Sequence, residues 1–131
     1  MKDFKKYFKI PASPEEIYLA LTKEATVILW TGASAQIDAQ EGGEFSMWED
    51  SIVGQFLELE PGKKIVQEWY FGPQEEPSIV TLKLHLDKNS TSVEVTHTNI
   101  PDEAYEDIVA GWQDPYMSSL IEFYADDGND F

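Results

Sequence analysis

The sequence contains no cysteine and no arginine. Without cysteine there are no disulfides or thiolate metal sites, and a reducing compartment is suitable, so we expect a cytoplasmic protein. Without arginine, a guanidinium cannot bind phosphate or carboxylate in bidentate fashion. No apolar run approaches the about 18 residues that a membrane span needs. The charged N-terminal stretch is not followed by an apolar segment, so we expect no secretory signal.

Positive charge is scarce throughout. Nine basic residues, all lysines, stand against 25 acidic residues, which gives a net charge of −16. No lysine follows Lys88. Because nucleic acids and anionic membranes both bind cationic surfaces, we expect neither as a partner. We interpret the charge mainly as a source of solubility, with a basic protein surface as the alternative.

The length of the chain and its hydrophobic periodicity predict one domain over residues 1–131, with a frayed tail at 126–131. Side chains alternate between apolar and polar in short segments separated by turn signals, which is typical of an antiparallel meander. One of these signals, Pro61-Gly62, has the type II pattern. The predicted strands are residues 4–10, 33–38, 44–49, 51–58, 64–71, 78–86 and 91–98.

Two short helices are predicted after the first strand. Ser13, Pro14 and Glu16 form a capping box with proline in the first turn, so a helix starts there. A second helical segment, residues 24–29, ends before Gly32, which suits a left-handed position.

A longer helical pattern is found near the C-terminus. Ile108, Trp112, Tyr116 and Leu120 recur at intervals of four residues and form one apolar stripe. Pro115 interrupts this pattern, either by a kink or by a new helix that Asp114 caps. We expect a looser segment from 102 and a firm helix from about Trp112 or Pro115 to Tyr124. A sheet with its helices on one face is an α+β fold, here with six or seven strands covering this helix.

The order of these elements, together with local motifs, resembles the homologues of the activator of heat-shock protein 90 ATPase. These proteins lie within the START-like (SRPBCC), birch-pollen-allergen-like helix-grip superfamily. The matching positions are residues 10–22, Trp30, 42–45, Gly54, 58–66, Trp69, 80–81, 93–97, 100–101 and 111–112. The resemblance implies a curved antiparallel sheet that grips the C-terminal helix, with a cavity between them. The eukaryotic co-chaperone has two domains, and this chain is similar to the C-terminal one.

The inner face of this fold predicts a ligand cavity, since such cavities are mostly apolar with a few polar groups. Gln67 and His97 are the candidate polar groups. One alternative is that the rings fill the core. For His97 we favour the interpretation that it is a core histidine bonded to a backbone carbonyl. The candidate cavity residues are Trp30, Gln67, Trp69, Val80, Leu82, Val95, His97, Ile108, Trp112 and Tyr116.

No catalytic constellation is found in the sequence. There is no glycine-serine-glycine elbow and no phosphate loop, and His85 and His97 fall on opposite faces, so we predict no cofactor and no metal. Trp48 is expected to be exposed near a hairpin tip. Three functions are compatible with the fold: binding of a small apolar ligand, which we favour, a co-chaperone-type interaction with a chaperone or other basic protein, and a cyclase or dehydratase activity that would use His97.

Overall fold

The computed structural model describes residues 1–74 and 76–127. Seven antiparallel strands within these residues form one sheet in the order β1-β7-β6-β5-β4-β3-β2. The strands are β1 (Lys2–Ile10), β2 (Gln36–Ile37), β3 (Glu44–Met47), β4 (Ile52–Glu60), β5 (Lys64–Trp69), β6 (Ser78–Asp87) and β7 (Ser90–Ile100). The helices are α1 (Pro14–Thr22), α2 (Glu24–Thr31), α3 (Tyr105–Gly111) and α4 (Ser118–Asp127), and a 3₁₀ turn (Asp102–Ala104) precedes α3. The predicted α+β architecture is confirmed.

The local signals for the first helix and for one hairpin are confirmed. The Ser13 hydroxyl accepts a hydrogen bond from the Glu16 amide, and the Glu16 carboxylate accepts one from the Ser13 amide, both at 3.2 Å. In the β4–β5 hairpin the Lys63 amide donates to the Glu60 carbonyl at 3.0 Å, and Gly62 has a φ of 74°. These elements form where the sequence predicts because their hydrogen bonds are local.

The core lies between the inner sheet face and the helices. β1 pairs with β7, so the first and last strands in the sequence are neighbours, and Phe8 and Ile10 are buried near Val93. On the helical side, Trp112, Tyr116, Met117 and Leu120 are buried. None of the helices within the described residues is both long and apolar enough to cross a membrane.

The C-terminal segment is broken where the proline interrupts the stripe. Asp114 has an extended backbone (φ −150°, ψ 118°), and the Asp114–Pro115 peptide bond is cis. Asp114 is the one non-helical residue within Trp112–Met117, so two helices meet at a kink here, and the Ser118 hydroxyl donates to the Asp114 carboxylate at 2.7 Å. The second helix thus follows the kink at Asp114, in line with the predicted start at about Pro115. It extends through Asp127, and residues 128–131 of the predicted frayed tail lie outside the described residues.

Three details of the sheet are established by the structure. β2 has two residues instead of the predicted 33–38. Leu86, which shares the parity of Leu84, lies next to the end of β6 and is 70% exposed. The register shift in β4 falls between Phe56 and Glu58, so Gly54 is not at a bulge. Gly54 is instead a point of close approach, where a Cβ would overlap the backbone of Glu68.

Candidate functional site

A pocket of about 430 Å³ lies between the β3–β4 turn, β5 and the broken C-terminal helix. Exposed residues such as Glu49 and Pro115 contribute to its wall, so the pocket opens to solvent. Its apolar lining comes from Trp48, Ile52, Trp69, Ile108, Trp112 and Tyr116. A volume of this size is within the range of small-molecule sites.

The β3–β4 turn brings Trp48 to this pocket. Trp48, Glu49 and Asp50 all have positive φ values, 50°, 55° and 69°. Such left-handed backbone costs roughly 1 to 2 kcal/mol per non-glycine residue, so the rest of the fold must stabilise this turn. Packing does so, because the Trp48 ring lies 5.5 Å from both Trp30 and Tyr116. Trp48 is therefore half-buried, and the expectation that it is exposed at a hairpin tip is wrong.

The other rings are held by bonds from their indole nitrogens and by stacking. Trp69 and Trp112 stack with centroids 5.0 Å apart, and Trp112 is 4.6 Å from Tyr116. The indole N–H of Trp69 donates to the Gln67 side-chain oxygen at 2.8 Å. The indole N–H of Trp30 donates to the Ala20 carbonyl at 2.6 Å. Each buried indole thus has its donor satisfied, which fixes the ring planes that face the pocket.

His97 lies behind the pocket and is fully buried. Its Nδ1 accepts a hydrogen bond from the Trp112 indole at 3.1 Å, so the ring proton must be on Nε2. Nε2 then donates to the Ser78 hydroxyl at 2.8 Å, and Ser78 donates to the Thr98 carbonyl at 3.2 Å. His97 is thus a core histidine, but side chains satisfy it where we expected a backbone carbonyl. Burial lowers the pKa of His97 to about 4, against a weaker opposing effect of Asp3, so its ring is neutral near pH 7.

The charged residues that line the pocket are of one sign. Glu49 and Asp107 belong to its lining, and neither has an ion-pair partner among the described residues. No lysine occurs between Glu24 and Gly62 or after Lys88, and these stretches supply every lining residue except Trp69. Lys6 reaches the C-terminal segment, but it binds Gln113, which does not line the pocket. The pocket is therefore apolar inside and acidic at its edge.

The ten predicted cavity residues divide into two groups. Trp69, Ile108, Trp112 and Tyr116 line the pocket. The others lie deeper, in the core against which the lining packs; they are Trp30, Gln67, Val80, Leu82, Val95 and His97. A ligand-binding role for these residues stays a prediction. The other eight lining residues were not predicted, and among them Trp48 is the aromatic ring that the alternation pattern placed outward. The described residues hold no group of three or more histidine and acidic side chains placed to bind a metal.

Comparison with known proteins identifies the family. Residues 11–123 match the model of the family described as "Activator of Hsp90 ATPase homolog 1-like protein". The chain belongs to this family. It is 34% identical over 115 residues to the human activator of 90 kDa heat shock protein ATPase homolog 1, a match that covers 86% of this chain and 34% of the human protein. A homologue from Dictyostelium discoideum is 33% identical over 104 residues, which cover 77% of this chain and 27% of that protein. The chain thus spans about a third of the curated relatives it matches.

Solved structures support the same assignment. An HSP90 activator from Plasmodium falciparum superposes with a TM-score of 0.82 at 28% identity, over 92% of this chain and 94% of the other. The subunit of an Aha1 dimer from Colwellia psychrerythraea has a TM-score of 0.75 at 22% identity, over 95% and 94% of the two chains, and shows the shared fold. The predicted family and its helix-grip fold are confirmed.

Proposed function

We propose that this member of the activator of Hsp90 ATPase homologue family is a non-catalytic domain that binds a small, largely apolar molecule in the aromatic pocket. The single observation that supports this most strongly is the open space of about 430 Å³ next to Trp48, Trp69 and Trp112. Concave, mostly apolar spaces of this size that carry a few polar groups are the usual sites of small-molecule binding. The left-handed turn that carries Trp48 adds support, because strained backbone concentrates at ligand sites.

The proposal of a binding domain without catalysis follows from the state of His97. Both of its ring nitrogens are bonded, and its pKa of about 4 leaves it neutral near pH 7. A general base must be able to reach a substrate proton, and His97 lies behind the stacked rings of Trp69 and Trp112. We therefore place the cyclase or dehydratase alternative below binding.

Binding can be tested with the neutral fluorescent probe N-phenyl-1-naphthylamine. A Cβ at Gly111 meets nothing within 4 Å, and Gly111 lines the pocket, so we expect Gly111→Leu to fill part of the space. We expect saturable binding to the natural protein, a loss of at least about tenfold in affinity for Gly111→Leu, and normal binding to the control Leu86→Ala, which shortens an exposed side chain outside the pocket. No saturable binding, or equal binding by all three proteins, would contradict the proposal.

A co-chaperone-type interaction is the second candidate. It is favoured by the match to the HSP90 activator from Plasmodium falciparum, which this chain covers over 94% of its length. The net charge of −16 would suit a basic surface on the partner. If this function holds, purified Hsp90 binds the chain at low ionic strength, more weakly at high ionic strength, and Gly111→Leu binds as the natural protein does. Absence of binding at low ionic strength would rule this candidate out.

A further inference from the structure

We infer that the ligand of the pocket is an organic cation, with an alkylammonium group attached to an apolar body. This inference rests on the proposed function and names the chemical class of the ligand. It combines two features of the same cavity: walls made of aromatic rings, and carboxylates at its edge with no counter-ion among the described residues.

The aromatic walls have the arrangement that binds cations. The negative faces of tryptophan and tyrosine rings attract an ammonium group within about 6 Å of the ring centroid. The ring planes of Trp48 and Tyr116 are inclined by 59°, and those of Trp112 and Tyr116 by 43°. Centroid separations of 5.5 and 4.6 Å keep these rings within one cluster. Aromatic cages that bind quaternary ammonium ligands are likewise built from clustered aromatic rings.

The carboxylates supply the second half of the recognition. Glu49 follows Trp48 directly in the left-handed turn, and Asp107 is on α3, so acidic side chains line the pocket from two different elements. A neutral ligand without hydrogen-bond donors would gain little from them, and an anionic ligand would be repelled. A bare ammonium ion would fill little of about 430 Å³, so the geometry favours a free small molecule with an apolar body.

The test compares three naphthalene probes that differ in one substituent: the trimethylammonium group, the neutral tert-butyl group of the same shape, and a sulfonate. Titrations at about 0.15 M salt limit the influence of the remaining charge of the protein, because the screening length is then about 8 Å. We expect the cation to bind about tenfold more tightly than the neutral probe, and the sulfonate to bind most weakly.

Variants separate the two contributions. Glu49→Gln and Asp107→Asn should each lower the ratio of cation affinity to neutral affinity about threefold or more, because each removes one negative charge from the lining. Trp48→Leu removes an aromatic face from the lining and should weaken the cation more than the neutral probe. The matched control Glu41→Gln removes an exposed carboxylate that does not line the pocket. It should change neither the affinity of the cation nor that of the neutral probe.

The outcomes distinguish this inference from the proposed function. If the neutral probe binds as tightly as the cation, or if Glu41→Gln weakens the cation as much as Glu49→Gln does, the inference is overturned and the pocket is still a ligand site. If none of the probes binds, the proposed function falls, and the inference falls with it.

Discussion

The indole nitrogen of Trp112 donates a hydrogen bond to Nδ1 of His97 at 3.1 Å, and this bond joins the C-terminal segment to strand β7. Trp112 is also part of the pocket wall, so the same residue connects the buried polar chain to the candidate site. The position of the wall thus depends on a hydrogen bond in the core.

Trp112→Phe tests this relationship. Phenylalanine keeps most of the aromatic surface but removes the donor, which leaves the buried Nδ1 of His97 without a partner. An unsatisfied buried acceptor costs about 1 to 3 kcal/mol, so we expect the free energy of unfolding in urea to fall by that amount, together with some loss from the smaller ring. Tyr7→Phe, which alters an exposed ring on β1, is the control and should change stability by less than about 0.5 kcal/mol. Equal effects of the two substitutions would contradict the assigned bond.

Stability should also depend on pH through His97. Its pKa is about 4 in the folded protein against 6.5 for the free side chain, so between these values the unfolded chain binds more protons than the native one. The contribution of neutral His97 is therefore fully present above pH 6.5 and is lost as the pH falls to about 4, by on the order of 3 kcal/mol. Urea unfolding across this range measures the slope. His97→Gln, which cannot titrate, should flatten it, and an unchanged slope would show that other groups cause the acid sensitivity.

Two glycines should respond to alanine in opposite directions. A Cβ at Gly54 would overlap the backbone of Glu68 on the paired strand, so Gly54→Ala must push β4 and β5 apart and should cost several kcal/mol or prevent folding. At Gly111 a Cβ meets nothing within 4 Å and the backbone is helical. Gly111→Ala should therefore raise the free energy of unfolding by about 0.5 to 1 kcal/mol. Thermal unfolding of both variants checks the pair, and a stable Gly54→Ala protein would contradict the close approach of the strands.

The left-handed turn beside the pocket gives a further prediction. Asp50 has a φ of 69° and does not line the aromatic pocket, so Asp50→Gly should relieve backbone strain and stabilise the protein by up to about 1 kcal/mol. The matched change Glu106→Gly in α3 should have the opposite sign and cost about 1 kcal/mol, because glycine is unfavourable inside a helix. If both variants were destabilised equally, the turn would not hold the strain that its backbone angles indicate.

Much of the fold could be predicted because its signals are local or periodic. The capping box of Ser13 and Glu16 and the turn at Pro61-Gly62 are made of hydrogen bonds between near neighbours. The inward position of His97 follows from alternation along β7, in register with Val80 on β6. The partners of His97 could not be predicted, since Ser78 and Trp112 reach it from elements distant in sequence.

The pocket was harder to predict from the sequence than the fold. Alternation from Phe45 places Trp48 outward, but three consecutive left-handed residues without a glycine rotate the chain and direct Trp48 to the rings of Trp30 and Tyr116. Such a turn is stabilised by tertiary packing, and of its three residues Asp50 alone is of a type that favours a positive φ. Whether the rings close the core or leave space depends in the same way on how the broken segment at Asp114 lies against β5.

The central claim is that the aromatic pocket binds a small molecule, and the indole N–H signals of the tryptophans in a ¹⁵N-correlated NMR spectrum test it most directly. Trp48, Trp69 and Trp112 line the pocket, whereas Trp30 lies behind it with its N–H bonded to Ala20. On titration with N-phenyl-1-naphthylamine we expect saturable shifts of the signals of Trp48, Trp69 and Trp112, larger than the shift of Trp30. In Gly111→Leu these ligand-induced shifts should disappear. Shifts confined to other parts of the protein, or no saturable shifts at all, would contradict the account.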